Sequence, residues 1–199
     1  MEKPGPLSFF SAQFDRQIAD GQYDLNPFER LALPYMTGNV LDLGCGLGNL
    51  AIAAGRQGAR VTALDACGNA VDDLAQRALA LDLPVWVRQA DLDGWRPEEE
   101  WDAVACIGLL MFFARRSALL GLEAVRDAVK PGGVAIVNVL MEGTTFMAMF
   151  DPDSYHLFTR EELRAPFANW SLLEDREDGF DAPGNTVKRF RTLVARRPV

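Results

Sequence analysis

Cysteine is scarce: the 199-residue chain has three, Cys45, Cys67 and Cys106, an odd number without close spacing. That pattern excludes a disulfide framework and a cysteine-built zinc site, and fits a reducing compartment. No stretch approaches the roughly 18 apolar residues of a membrane span, and "MEKPGPLSFFSAQF" lacks the apolar core of a secretory leader. A cytoplasmic protein without a membrane partner is expected. Positive charge is also short, with 20 Lys and Arg against 28 Asp and Glu and a net charge of −8. An anionic polymer meets a repulsive field, so nucleic acid is excluded as a partner. Lys188, Arg189, Arg191, Arg196 and Arg197 sit in a strand-like tail and read as a solvated face.

What is present suits one folded domain over 1–199: 49% of residues are hydrophobic and 24% charged. Residues 1–38 read as an N-terminal arm and helix, 39–140 as the core, and 141–199 as a lid segment and C-terminal hairpin. "NPFERLALPYM" opens with Asn26 as cap, Pro27 at the first helical position and Glu29 close to a capping box, which predicts a helix over 27–36. Strand-like runs then alternate with helix-like ones. The strands are "NVLDLG", "ARVTALD", "PVWVRQAD", "WDAVACIG" and "VAIVNVL", the last entered through a "PGG" turn at 131–133. Apolar strands separated by helices predict a doubly wound, Rossmann-like α/β sheet with helices on both faces. "TREELRAPF" reads as a capped short helix, and "WSLLEDRED" and "TVKRFRTLVARR" as a hairpin around the turn-rich "GFDAPGN".

The chemistry centres on "LDLGCGLGNL". Gly44, Gly46 and Gly48 follow the first strand at alternate positions, where the carboxyl end of such a sheet forms its ligand crevice. The spacing departs from the dinucleotide G-x-G-x-x-G pattern, and Asp42 two residues upstream would repel a pyrophosphate while suiting a cofactor with an amine. A nicotinamide oxidoreductase is therefore the lesser alternative.

"LDLGCGLG" resembles motif I, D/E-x-G-x-G-x-G, of the class I S-adenosylmethionine-dependent methyltransferases, over roughly 39–140. The resemblance implies seven strands, mostly parallel with an antiparallel C-terminal strand, and S-adenosyl-L-methionine as cofactor, with S-adenosylhomocysteine as product. It places Asp42, Gly44, Cys45, Gly46 and Gly48 around the cofactor and Asp65 on its ribose. Asp91 and Leu92 lie by the adenine, with Ala66, Cys106 and Ile107 beside them. "FDRQIADGQYD" is similar to a segment of small-molecule members, which sets Tyr23 over the methionine end; a packing aromatic is the alternative for Tyr23.

Within the class, "VACIGLLMFF" and the closing "FRTLVARR" are similar to the tellurite-resistance (TehB-like) branch, which implies a small acceptor of the tellurite, selenium or thiol type. The similarity stops short of a His-Arg pair that the branch carries before its last strand, since "EDREDGFDAPGNTVKRF" has no histidine. A non-catalytic S-adenosylmethionine-binding protein is therefore a second alternative. Histidine is the side chain suited to proton transfer near neutral pH, which makes His156 the candidate general base, or else a histidine packed beside Tyr155. Phe112 and Tyr155, with Met111, Phe146, Met147, Met149, Phe150 and Phe158, line an acceptor pocket or form the core of the lid. The expected assembly is a monomer or homodimer.

Overall fold

The structure, a computed structural model, describes residues 5–199; residues 1–4 of the expected arm lie outside it. Five apolar runs form parallel strands: β1 (Asn39–Leu43), β2 (Arg60–Asp65), β3 (Val85–Gln89), β4 (Trp101–Ile107) and β5 (Val129–Leu140). With β6 (Ser171–Ala182) and β7 (Thr186–Arg196) they build one sheet in the order β3-β2-β1-β4-β5-β7-β6. β7 runs antiparallel to both its neighbours, as the C-terminal strand was expected to.

Strand alternation assigns the two faces. Val40, Val61, Ala63, Ala103 and Ile136 pack under α3 (Asn49–Arg56) and α4 (Gly68–Ala80). Leu41, Leu43, Val104 and Val137 pack on the other side with Ala118, Leu122 and Val125 of α5 (Arg115–Asp127), and with Leu163 of α6 (Arg160–Arg164). Each leucine buried in these layers stabilises the fold by about 1.5–3 kcal/mol relative to an exposed one. Asp42 shares the face of Val40, so a carboxylate is carried beneath α3 by the register of an otherwise apolar strand.

The N-terminal part supplies α1 (Pro6–Ala19) and α2 (Pro27–Ala32). The capping box at Asn26 is complete: its Oδ1 accepts from the N–H groups of Phe28 and Glu29, and Glu29 Oε2 accepts from the Asn26 N–H at 2.7 Å. The predicted helix is shorter than expected because Pro34 brings no N–H, and the chain continues as a 3-10 turn over Leu33–Tyr35.

Three other readings need correction. "PGG" is no simple turn before β5 but an irregularity inside it, where pairing jumps from Trp101↔Val129 to Ala103↔Val134. A Cβ at Gly133 would lie 2.8 Å from the Asp102 carbonyl oxygen, so glycine permits the close approach. The hairpin turn is confined to Pro183–Asn185, since Gly179–Ala182 pair with Thr186–Arg189. Nor is the basic tail a solvated face throughout: Arg191 is 3% exposed, held by Asp175 at 2.6 Å and Glu177 at 2.7 Å. Its neighbours on β6 supply alternating carboxylates, which is what lets the guanidinium be buried. Among the described residues, no helix is long and apolar enough to cross a membrane, and no group of side chains forms a metal cluster.

Candidate functional site

A cavity of about 510 Å³ opens at the carboxyl ends of β1, β2 and β4, where a doubly wound sheet leaves a crevice. Its floor is the glycine loop. Gly44, Gly46 and Gly48 have φ of +74°, +52° and +65°, a region that residues with a Cβ enter at a cost. Space excludes side chains as well. A Cβ on Gly46 would lie 3.0 Å from the Phe14 ring of α1, and one on Gly48 would lie 2.3 Å from Leu74 of α4.

Asp65, 9% exposed, ties two loops together. Its Oδ2 accepts from the Gly46 N–H and its Oδ1 from the Cys67 N–H, each at 2.8 Å. The end of β2 thereby fixes both the glycine loop and the start of α4. Asp42, 4% exposed, is different: its Oδ2 is buried without a hydrogen-bond partner. Burial pushes its pKa up to about 8, helped by the charges of Glu29 and Asp65 and opposed by the Ala51 N–H.

That shift has a measurable consequence. Because the folded protein holds this proton more tightly than the unfolded chain, the associated stability is complete below pH ~4 and lost as pH rises through about 8. Glu29, whose pKa is raised chiefly by burial, acts in the same direction. The ligand-free protein should lose melting temperature between pH ~6 and ~8.5, and Asp42→Asn should flatten that slope. Calorimetric melts across the range check it; an unchanged slope in the variant would remove Asp42 as the cause.

Of the residues singled out from the sequence, Asp42, Gly44, Cys45, Gly46, Asp65, Ala66, Asp91, Leu92, Ile107 and Phe112 line this cavity, and Gly48 closes the loop beneath it. Four others do not reach it. Cys106 is fully buried, because alternation turns it to the face opposite Ile107, among Leu43, Val104 and Val137. Tyr23 is drawn away by a hydrogen bond from its hydroxyl to Asp73 Oδ1 (2.9 Å) and by the Arg77 guanidinium over its ring (4.2 Å), so it anchors the arm to α4. Tyr155 stacks on Phe150 at 5.1 Å. His156 packs at a tilt against Phe158, with ring centroids 4.6 Å apart, and its Nε2 lies 3.0 Å from Glu162 Oε2. It is a packed histidine rather than a base facing the cavity. Met111, Phe146, Met147, Met149 and Phe150 form a cluster of their own behind Phe112, which is the lid-core alternative.

Sequence reasoning missed one whole wall. Pro6, Leu7, Phe10, Gln13, Phe14 and Gln17 of α1 border the cavity, as do Glu29, Asn26 and Asn49. The phenylalanines at positions 10 and 14, four residues apart, were the available signal, since that spacing puts both on one helical face.

Comparison with known proteins agrees with this geometry. Residues 40–133 match the model of a family described as a methyltransferase domain. The chain is 26% identical over 165 residues to hemagglutinin 1 of Eikenella corrodens, covering 80% of this chain and 54% of that protein. It is likewise 26% identical over 164 residues to the probable S-adenosyl-L-methionine-dependent methyltransferase TehB of Haemophilus influenzae, covering 79% and 57%. The chain thus spans about half the length of these curated relatives. The crystal structure of TehB from Haemophilus influenzae superposes with a TM-score of 0.73 at 22% identity, covering 85% of this chain and 61% of that one. Over residues 40–133 the chain is thus similar to a methyltransferase domain, and its fold is that of the TehB structure. Among its relatives the chain is similar to TehB of Haemophilus influenzae in both sequence and fold.

Proposed function

We propose that the chain, acting as one domain over 1–199, transfers a methyl group from S-adenosylmethionine to a small molecule. The observation that carries this reading is the glycine cradle beside a buried carboxylate with an unpartnered oxygen, Asp42 Oδ2. A cofactor bearing a sulfonium and an ammonium supplies the missing positive charge, whereas a pyrophosphate would be repelled. Asp65 then takes the ribose hydroxyls on the lone pairs its two backbone partners leave free. Asp91 and Leu92 border the adenine between Ala66 and Ile107, and Gly44, Cys45, Gly46 and Gly48 let the backbone approach the methionine half.

When bound, the cofactor supplies an electrophilic methyl group whose bond to sulfur breaks, with the electron pair left on sulfur, as the acceptor's bond forms. What the protein adds is position. Walls on α1, β1, β2 and β4 hold two ligands in one cavity, and such alignment accounts for roughly 7–11 kcal/mol of a barrier when near-attack geometry is met. A small acceptor is supported by the acidic charge and by α1 lying across the opening. The oxyanion acceptors suggested by the TehB-like branch find no cationic side chain among the described residues that line this cavity.

Titration calorimetry with S-adenosylmethionine and NADH tests the reading, followed by transfer of labelled methyl groups to a metabolite panel. Binding of the sulfonium cofactor alone, with label transferred, is expected; binding of NADH alone would overturn the proposal.

A further inference from the structure

We infer that the methyl acceptor is an organic amine, recognised by the carboxylate of Glu29 together with the aromatic surfaces of Phe10 and Phe112. The inference rests on the methyltransferase reading and names the substrate class of that same cavity.

The charge inventory of the lining is one-sided. Among the described residues, Asp24, Glu29, Asp42, Asp65 and Asp91 border the cavity, and no lysine, arginine or histidine does. Some of that negative charge is already engaged: Asp65 receives two backbone amides, and Asp91 Oδ1 receives the Asp93 N–H at 3.0 Å. Asp42, 4% exposed with an unpartnered oxygen, is taken up by the cofactor's own positive charge, which leaves Asp24, Glu29, Asp65 and Asp91 toward the second ligand. The cofactor brings a sulfonium, an ammonium and a carboxylate, hence one net positive charge. Carboxylates therefore outnumber the cations even with the cofactor in place, and the second ligand meets a negative potential.

The apolar part of the lining sharpens the choice. Phe10 and Phe112 meet edge to face with centroids 4.9 Å apart, and Phe14 lies beside them on α1. Ring faces attract an ammonium and also pack the carbon skeleton of an organic amine. An oxyanion gains from neither. Glu29 is suited to the proton as well as the charge. Its Oε2 is fixed by the Asn26 N–H, and burial raises its affinity for a proton. An amine arriving as R–NH3⁺ gives one proton to the Glu29 carboxylate, and the nitrogen lone pair so released is the nucleophile.

The test uses the full chain loaded with S-adenosylhomocysteine and three probes: 2-phenylethylamine, 3-phenylpropanoate and tellurite. Titration calorimetry should show the amine binding at least about tenfold more tightly than either anion. Glu29→Gln should cut that preference by about fivefold or more, while melting as a folded protein, because glutamine still completes the capping box. Equal or tighter binding of either anion, no binding of the amine, or a preference unchanged in Glu29→Gln would overturn the inference. Failure of the methyltransferase reading is seen separately, as failure of the chain to take up S-adenosylhomocysteine at all.

Discussion

Replacing Asp65 with alanine is expected to weaken S-adenosylmethionine binding by about 100-fold or more and to lower folding stability by about 2–4 kcal/mol. The carboxylate holds the Gly46 and Cys67 N–H groups at 2.8 Å each, so its removal strands two donors where the glycine loop meets α4. A hydrogen bond to a charged partner contributes about 1.5–3 kcal/mol, and a buried donor left unmade costs about as much. With Asp65 on the ribose as proposed, affinity is expected to fall further because that acceptor is lost and the cradle loses its tie to β2. Asp65→Asn is the informative companion. It keeps one acceptor oxygen and should fall between wild type and alanine in melting temperature. Calorimetric titration and thermal melts read both effects; affinity within about twofold of wild type in the alanine variant would remove Asp65 from the site.

The second large effect is expected at Gly48. Alanine there must hold φ near +65°, at about 1–2 kcal/mol. Its Cβ would also stand 2.3 Å from Leu74 Cδ2 and 2.8 Å from Leu74 Cγ. Leu74 is fully buried, so it can yield only by disturbing neighbours under α4. A total loss of about 2–4 kcal/mol is expected, together with weakened cofactor binding. A double-mutant cycle separates space from backbone strain. Leu74→Ala alone costs about 2–5 kcal/mol, but in combination with Gly48→Ala the losses should fall short of their sum by about 1 kcal/mol or more, because the smaller side chain leaves room for the added methyl. Strict additivity would show that the contact carries none of the effect.

These residues also show what can be read before any coordinates exist. Periodicity and turn chemistry are local, and they located four of the five parallel strands to within a residue or two, the fifth but for its first five residues, and the capped starts of α2 and α6. The misplacements share a different cause. Cys106 is the exception, since strand alternation alone already sets it on the face opposite Ile107. Whether Tyr23 reaches the cavity is decided by Asp73 and Arg77, some fifty residues away. Arg191 looked solvated because the carboxylates that bury it lie on the other arm of the hairpin. Glu29 was legible as a helix cap, but its place on the cavity wall depends on how α2 packs over α3, which no local pattern encodes.

The packing of α1 carries one more consequence, for how long a ligand stays. The walls from β1, β2 and β4 belong to the sheet or to loops that leave it. α1 has no fully buried side chain and is pinned to α4 by Asn69, whose Nδ2 donates to the Ser11 carbonyl and to Asp15 Oδ1. Under the proposed function, residence time is then expected to follow how readily α1 lifts, and Asn69→Ala, on the first turn of α4, is expected to shorten it in a dissociation-rate measurement.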